Sequence, residues 1–274
     1  MEDLNFANKI ISLVEKSIKN PQKAKDNNLL IGVDLGTAYI TIVVLDKNYN
    51  PLGCQMEFAN VVRDGLVVDF NGAIKTVTRI KKALETSLQI ELTNTCIAVP
   101  PGTFGRNRDT HRYVVEAAGF QVLSIIDEPT AANKVLNIKN GAVVDIGGGT
   151  TGIAIFKDGE VIYTADEPTG GTHFTLVIAG RNKISFEEAE KLKTNKDNYK
   201  LVTSIVLPVI QKVASIIKKH IKQYDVNTLY IVGGTSCLPG IENIISNEIG
   251  IKTIKPYNPL LVTPIGIALS CNDI

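Results

Sequence analysis

The chain is poor in cysteine, lacks any block of like charge and has no long uninterrupted apolar run. Each shortage removes a class of protein. Its four cysteines, Cys54, Cys96, Cys237 and Cys271, lie far apart in 274 residues and match no metal-ligand spacing, so reduced thiols in a cytosolic compartment are expected rather than a disulfide framework. The 29 Lys and Arg nearly cancel the 28 Asp and Glu, leaving a net charge of +1, and no nucleic-acid partner is expected. The most apolar stretch, Leu201 to Ile221, is broken by Thr203, Ser204, Pro208, Gln211, Lys212, Lys218 and Lys219. A span needs about 20 consecutive apolar residues, so no membrane span is expected. Glu2 and Asp3 stand where a secretion signal would carry Lys or Arg. His111, His173 and His220 are scattered without metal spacing and read as surface or structural residues, and no Ser/His/Asp triad stands out.

What is present is 44% apolar and 21% charged residues, enough for a sizeable core in one large domain or two intimate ones. Leu4, Ala7, Ile11, Val14 and Ile18 mark one face of an amphipathic helix, and the polar run Pro21 to Asn28 reads as a linker. A strand meander follows at Leu29–Asp34, Tyr39–Leu45 and Leu52–Phe58, then a hairpin turned by Asp64-Gly65. Helices are expected over 71–88 and 106–118 and from Glu128, with Pro129 in its first turn. Strands are expected at 95–99, up to Ile126, and at 141–145. The order is α/β.

An internal repeat organises this order. Ile31–Gly53 and Ala142–Glu167 share one grammar: apolar strand, Asp, apolar residue, glycine turn, second strand, polar turn, third strand. Two related lobes with a cleft between them follow, with residues 1–28 as helix and linker, 29–140 as first lobe and 141–274 as second. The second lobe is expected to hold helices over 185–194 and 199–224 and a strand over 228–232. A last helix from Thr263 is free to return to the first lobe.

Asp34-Leu35-Gly36-Thr37 and Asp145-Ile146-Gly147-Gly148-Gly149-Thr150-Thr151 each put a carboxylate at a strand end before a glycine turn. Without Cβ atoms such a turn brings backbone N–H groups close to phosphate oxygens, and the threonine hydroxyls add donors. Asp34 and Asp145, one from each lobe, would share a Mg²⁺ ion, through its waters because that ion dehydrates reluctantly. The plainer alternative is two ordinary hairpin turns. Gly147, Gly149 and Gly152 also satisfy G-x-G-x-x-G, but that fingerprint needs a helix next, and Ile153–Phe156 with Asp158-Gly159 reads as a hairpin. No Walker A sequence occurs.

With these residues the chain resembles the actin-like ATPase superfamily, which includes DnaK-type chaperones, MreB and FtsA. Asp34–Thr37 and Asp145–Thr151 resemble its two phosphate motifs, Asp127–Ala132 and Thr263–Ala268 its connecting segments, and Ile231–Ser236 its adenosine motif. Through Asn60–Ile74, the DEPTAA run, Thr169–Gly171 and Ile184–Lys193 it is most similar to the EutJ family, DnaK-like proteins of bacterial ethanolamine utilization. The resemblance implies a two-lobed fold of duplicated ribonuclease-H-like subdomains with reduced insertions, binding ATP or ADP with Mg²⁺. It also implies a cytoplasmic, microcompartment-associated role as a chaperone for a protein client, with self-association open. A nucleotide-controlled filament or scaffold like FtsA or MreB, or a reactivating factor for the cobalamin-dependent lyase, are the alternatives. A small-molecule kinase fits less well because no sugar-binding insertion separates the motifs.

Carried onto matching positions, the resemblance gives Asp34 and Asp145 to the metal and Gly36, Thr37, Ala38 and Gly147, Gly148, Gly149 and Thr150 to phosphate. Glu128 goes to the attacking water, and Gly171, Glu190, Lys193, Gly233, Gly234 and Thr235 to ribose and adenine. Glu128 could instead merely open a helix, and Glu190 with Lys193 could be an exposed ion pair. The sequence departs from DnaK-type chaperones twice. Ala38 replaces a second threonine, and the interval from Phe58 to Asp69 is too short for the lobe that carries their catalytic lysine, leaving Arg63 as the nearby cation. Hydrolysis is therefore expected to be slow or absent. The amphipathic N-terminal helix either docks on a microcompartment shell or packs on its own domain.

Overall fold

In the computed structural model, which describes residues 4–273, the chain runs α1 (Asn5–Lys19), β1 (Leu29–Leu35), β2 (Tyr39–Asp46), β3 (Pro51–Phe58), β4 (Val62–Arg63), β5 (Leu66–Val67), α2 (Phe70–Leu88), β6 (Asn94–Val99), α3 (Gly105–Ala117), β7 (Gln121–Asp127) and α4 (Glu128–Leu136). It continues with β8 (Gly141–Ile146), β9 (Thr151–Lys157), β10 (Glu160–Glu167), α5 (Gly171–Asn182), α6 (Phe186–Thr194), α7 (Tyr199–Ile221), β11 (Thr228–Val232), α8 (Ile241–Ile249), β12 (Lys252–Ile254) and α9 (Val262–Ser270). Glu2 and Asp3, read above for a secretion signal, lie outside the described residues.

The repeat becomes two five-stranded sheets of equivalent order, β3-β2-β1-β6-β7 and β10-β9-β8-β11-β12. In each, an antiparallel meander is continued by two parallel strands beside its first strand. Parallel neighbours need crossovers, and α2, α3, α7 and α8 supply them. β9 directly follows the second glycine turn, so no dinucleotide-type helix exists there. The sequence reading did not identify α5, α8 or β12.

Three large apolar cores follow from this layering. One packs α2 and α3 on the first sheet around Val33, Ile42 and Val77. Another packs α5, α7 and α8 on the second around Val144, Ile178 and Ile210. The third lies between the sheets, where Val43 and Val143 meet α4, α9 and α1. Beside it, at a smaller cluster of Cys96, Ala98, Ala131 and Ile267, a Cβ on Gly266 of α9 would stand 1.8 Å from the carbonyl oxygen of Ala131 in α4, so these helices touch backbone to backbone. The C-terminal helix thus lies against the first lobe as well.

The N-terminal helix belongs to this middle core. Ala7, Ile10, Ile11 and Val14 are buried in it, the Asn8 side chain accepts from Tyr257 N at 2.8 Å, and Asn258 Nδ2 donates to Glu15 at 2.9 Å. The shell-docking alternative therefore loses its apolar face, which is already covered. Residues 196–221 are long and apolar enough to cross a membrane by length and composition. Val202, Val206, Val213 and Ile217 of this helix are instead buried in the second core.

Candidate functional site

β1 and β8 are equivalent central strands, and their ends bring Asp34 and Asp145 to one cleft. The cavity there, of about 250 Å³, is lined by Asp34, Gly36, Thr37, Ala38, Glu128, Asp145, Gly147, Gly148, Gly149, Thr150, Glu190, Lys193, Gly233, Gly234 and Thr235. Of the residues assigned from sequence to metal, phosphate, water, ribose or adenine, Gly171 alone stands behind the wall. Its carbonyl accepts from Lys193 Nζ at 3.2 Å, and a Cβ on it would lie 2.6 Å from Thr235 Oγ1. Thr235 Oγ1 in turn donates to the carbonyl of Gly147 at 2.7 Å, tying the adenosine-motif turn to the second glycine turn.

The packing is close enough to require glycine. Gly233 sits at φ +86°, and a Cβ there would fall 2.2 Å from Asp145 Oδ1. A side chain at 233 would therefore displace the carboxylate. A Cβ on Gly149 would meet both Thr37 Oγ1 and Asp64 N at 2.8 Å, so the two glycine turns and the tip of the β4–β5 hairpin converge on one spot.

The site is strongly acidic. Asp145 is buried and accepts from Thr263 Oγ1 of α9; burial raises its pKa to about 6, with the hydroxyl bond pulling the other way. Burial, then the charge of Asp145, lifts Asp34 to about 7. Glu128 is held well above its usual range by burial and then by Asp145, Asp34, Asp166 and Asp127. Glu128 does open α4, where Asp127 caps the helix by accepting from Thr130 N at 3.0 Å. Its electrostatics show that it also faces the other carboxyls.

Glu190 and Lys193 form an i,i+3 ion pair of 2.7 Å, but at 17% and 18% side-chain exposure the exposed-pair alternative does not describe it. Lys193 Nζ also donates to Thr175 Oγ1 at 2.8 Å, and burial, opposed by Glu190, lowers its pKa. Lys193 is the cation among the described residues lining the cavity. Arg63, named from sequence as the nearby cation, is exposed and outside the lining, because the hairpin presents Gly65 to the cavity instead.

Sequence reasoning missed Asp166. Its pKa is raised to about 7 by burial, opposed by a hydrogen bond from Thr150, and raised further by Asp145, Glu167 and Asp64. Pairing of Asp166 with Gly152 on β9 puts it beside the second glycine turn. The signal was the acidic end of the repeat's third strand, where in register the first copy has Glu57 for Glu167 but Met56 for Asp166. The histidines lie in structural contacts. His220 joins Glu167 at 2.8 Å to Tyr163 at 2.7 Å, and His111 Nδ1 contacts the Asn107 carbonyl at 2.9 Å.

The chain is 41% identical over 248 residues to the ethanolamine utilization protein EutJ of Salmonella typhimurium, covering 90% of this chain and 87% of that protein. The chain belongs to the EutJ family. This EutJ-family chain matches the crystal structure of EutJ from Carboxydothermus hydrogenoformans at 44% identity, with a TM-score of 0.90 over 96% of this chain and 97% of that one. Residues 109–263 of the EutJ-family chain, more than half of it, also match the family described as type IV pilus assembly protein PilM, so the chain belongs to that wider actin-like group as well. MreB5 of Spiroplasma citri, solved with ADP, shares the fold at a TM-score of 0.70 and 17% identity, over 88% of this chain and 95% of that one. The fold is the two-lobed actin-like ATPase fold.

Proposed function

We propose that this protein binds Mg²⁺-ATP or ADP between its lobes and uses lobe closure to act on a protein partner of ethanolamine utilization, as a chaperone-type factor with slow turnover. The observation that supports this reading is the cleft in which two repeated strand ends oppose Asp34 and Asp145 between glycine turns. MreB5, of the same fold, was solved with ADP, and the chain's relatives are ethanolamine utilization proteins by name.

The donor set fits a hydrated Mg²⁺ ion with phosphates. After burial, the charge of Asp145 raises the pKa values of Asp34, Glu128 and Asp166, and Asp34 and Asp166 add to the rise at Glu128, which is the mark of a carboxylate cluster short of positive charge. No three His, Cys, Asp or Glu side chains among the described residues form a closed metal-ligand group, so the ion would keep waters and share phosphate oxygens. Asp34 and Asp145 would hold it, and its chemical contribution is to neutralise phosphate charge. The turns at Gly36–Ala38 and Gly147–Thr150 bind phosphate through backbone N–H groups and the hydroxyl of Thr37, the Thr150 hydroxyl being bonded to Asp166. Gly171, Glu190, Lys193 and Gly233–Thr235 form the nucleoside end. Glu128 orients water and takes its proton. Lys193 is bound to Glu190, Thr175 and Gly171 and so is committed elsewhere. Among the described residues lining the cavity no lysine or arginine is left free for the moving phosphoryl group, which makes turnover slow.

Calorimetric titration with Mg²⁺-ATP tests the reading. Asp145→Ala should weaken binding by about tenfold or more, since charge-assisted contacts in such a cleft are worth more than about 1.4 kcal/mol. Parental affinity in that variant would remove the phosphate-site assignment.

A further inference from the structure

The first sheet ends in an open edge. β7 pairs on one side with β6, and among the described residues no strand lies on its other side. Its counterpart in the second lobe, β12, is 3 residues long, whereas β7 has 7. Of these two equivalent strands β7 is the one long enough to template another; at the opposite edges, β3 packs against α1 and β10 carries Glu160, Asp166 and Glu167. An exposed edge of this length is normally blunted by charge, proline or a covering element. β7 before its terminal Asp127 carries no charge and no proline, and its Leu123 is 39% exposed.

Beside this edge α3 contributes two arginines. Arg108, Asp109 and Arg112 line a cavity of about 300 Å³ with Val122, Leu123, Ser124 and Ile125 of β7. The Arg112 guanidinium donates to Asp109 Oδ1 at 2.9 Å and sits 5.2 Å from the Tyr113 ring. Its Nε is shielded from solvent and has no acceptor. A buried donor without an acceptor is costly, so the pocket has a directional vacancy for an oxygen. Asp109 is the pocket's one carboxylate against two guanidinium groups, and it is already engaged.

We propose that the β7 edge and the Arg108/Arg112 pocket form a docking site for an extended acidic segment of a partner protein. The segment adds as a further strand along β7, and one of its carboxylates accepts from Arg112. Main-chain pairing supplies affinity and alternate side chains supply selectivity in such strand addition. A bidentate arginine–carboxylate contact suits the free Nε. Charge decides between occupants. Two copies of this chain meeting edge to edge would bring Arg108 and Arg112 against the same residues, and like charges at an interface oppose the wrong partner. An acidic strand has the complementary charge. The site is separate from the interlobe cleft and does not depend on nucleotide.

The test uses the full chain and a short fluorescein-labelled peptide of alternating valine and glutamate, with a valine–lysine peptide as control. Fluorescence anisotropy should show binding of the glutamate peptide only. Hydrogen exchange should then show slowed amides within residues 122–126. Arg108→Glu with Arg112→Glu should lose about tenfold or more in affinity while remaining folded at the assay temperature by circular dichroism, and Arg108→Glu alone, at an exposed position, should lose part of the affinity with the parental melting temperature. Arg112→Lys, which keeps the charge but not the fork, should show an intermediate loss. Equal binding of the two peptides, unslowed β7 amides, or unchanged affinity in the double variant would each overturn the proposal. So would a dimer through β7 in sedimentation, which would assign the edge to a second copy.

Discussion

Asp34 shows how a single residue couples stability to ligand. Its carboxyl is lifted from 3.8 to about 7, by burial first and by Asp145 second. The folded state therefore keeps a proton that the unfolded chain releases, and stability falls as pH rises between these values. Below 3.8 both states are protonated and the effect vanishes; above about 7 the penalty is complete. Asp34→Asn mimics the protonated form, so it should melt with the parent near pH 4 and progressively above it up to pH 8, in the absence of Mg²⁺ and nucleotide. A melting difference that is flat with pH would disprove the burial-driven shift. Asp34 and Asp145 were legible because the repeat printed the same strand-Asp-glycine grammar twice. Asp166 and Thr263 were not, since one depends on strand register and the other on where α9 returns.

α1 shows how a pattern of correct period leaves its partner unspecified. The apolar stripe fixes a helix and its buried face, but a shell groove and the protein's own core would select the same stripe. The answer lies in the complementary surface, built by β3, α4 and α9 far along the chain. Ile11 is fully buried there, whereas Phe6 on the same helix is 53% exposed. Ile11→Ala should cost about 2–5 kcal/mol by removing core contacts and leaving a cavity, while Phe6→Ala should stay within about 0.5 kcal/mol. Denaturant titration of the two variants checks this, and equal small losses would mean that α1 is detached in solution. α5 and α8 escaped the sequence reading for different reasons. α5 has a weak apolar period, whereas α8 carries Ile241, Ile245 and Ile249 at helical spacing between Gly240 and Gly250, a signal present but unused.

At the scale of the whole molecule, the repeat gave both meanders and a cleft between two lobes, but not β12 at the second sheet's edge or the contact that sets one lobe on the other. That placement rests on α4 and α9 meeting at Ala131 and Gly266, a contact that no local pattern encodes. It also bears on the choice between a chaperone-type factor and a filament. Both would use closure about the middle core, but a filament further needs a heterologous surface pair that repeats without closing. With the β7 edge flanked by arginines, edge-to-edge growth is opposed by charge, and a net charge of +1 adds little general repulsion to mask a real assembly signal. Light scattering at fixed protein concentration should therefore stay at its starting value when Mg²⁺-ATP is added. A rise with Mg²⁺-ATP that a chelator reverses would instead make nucleotide-driven assembly the function of the cleft, leaving the binding of nucleotide itself intact.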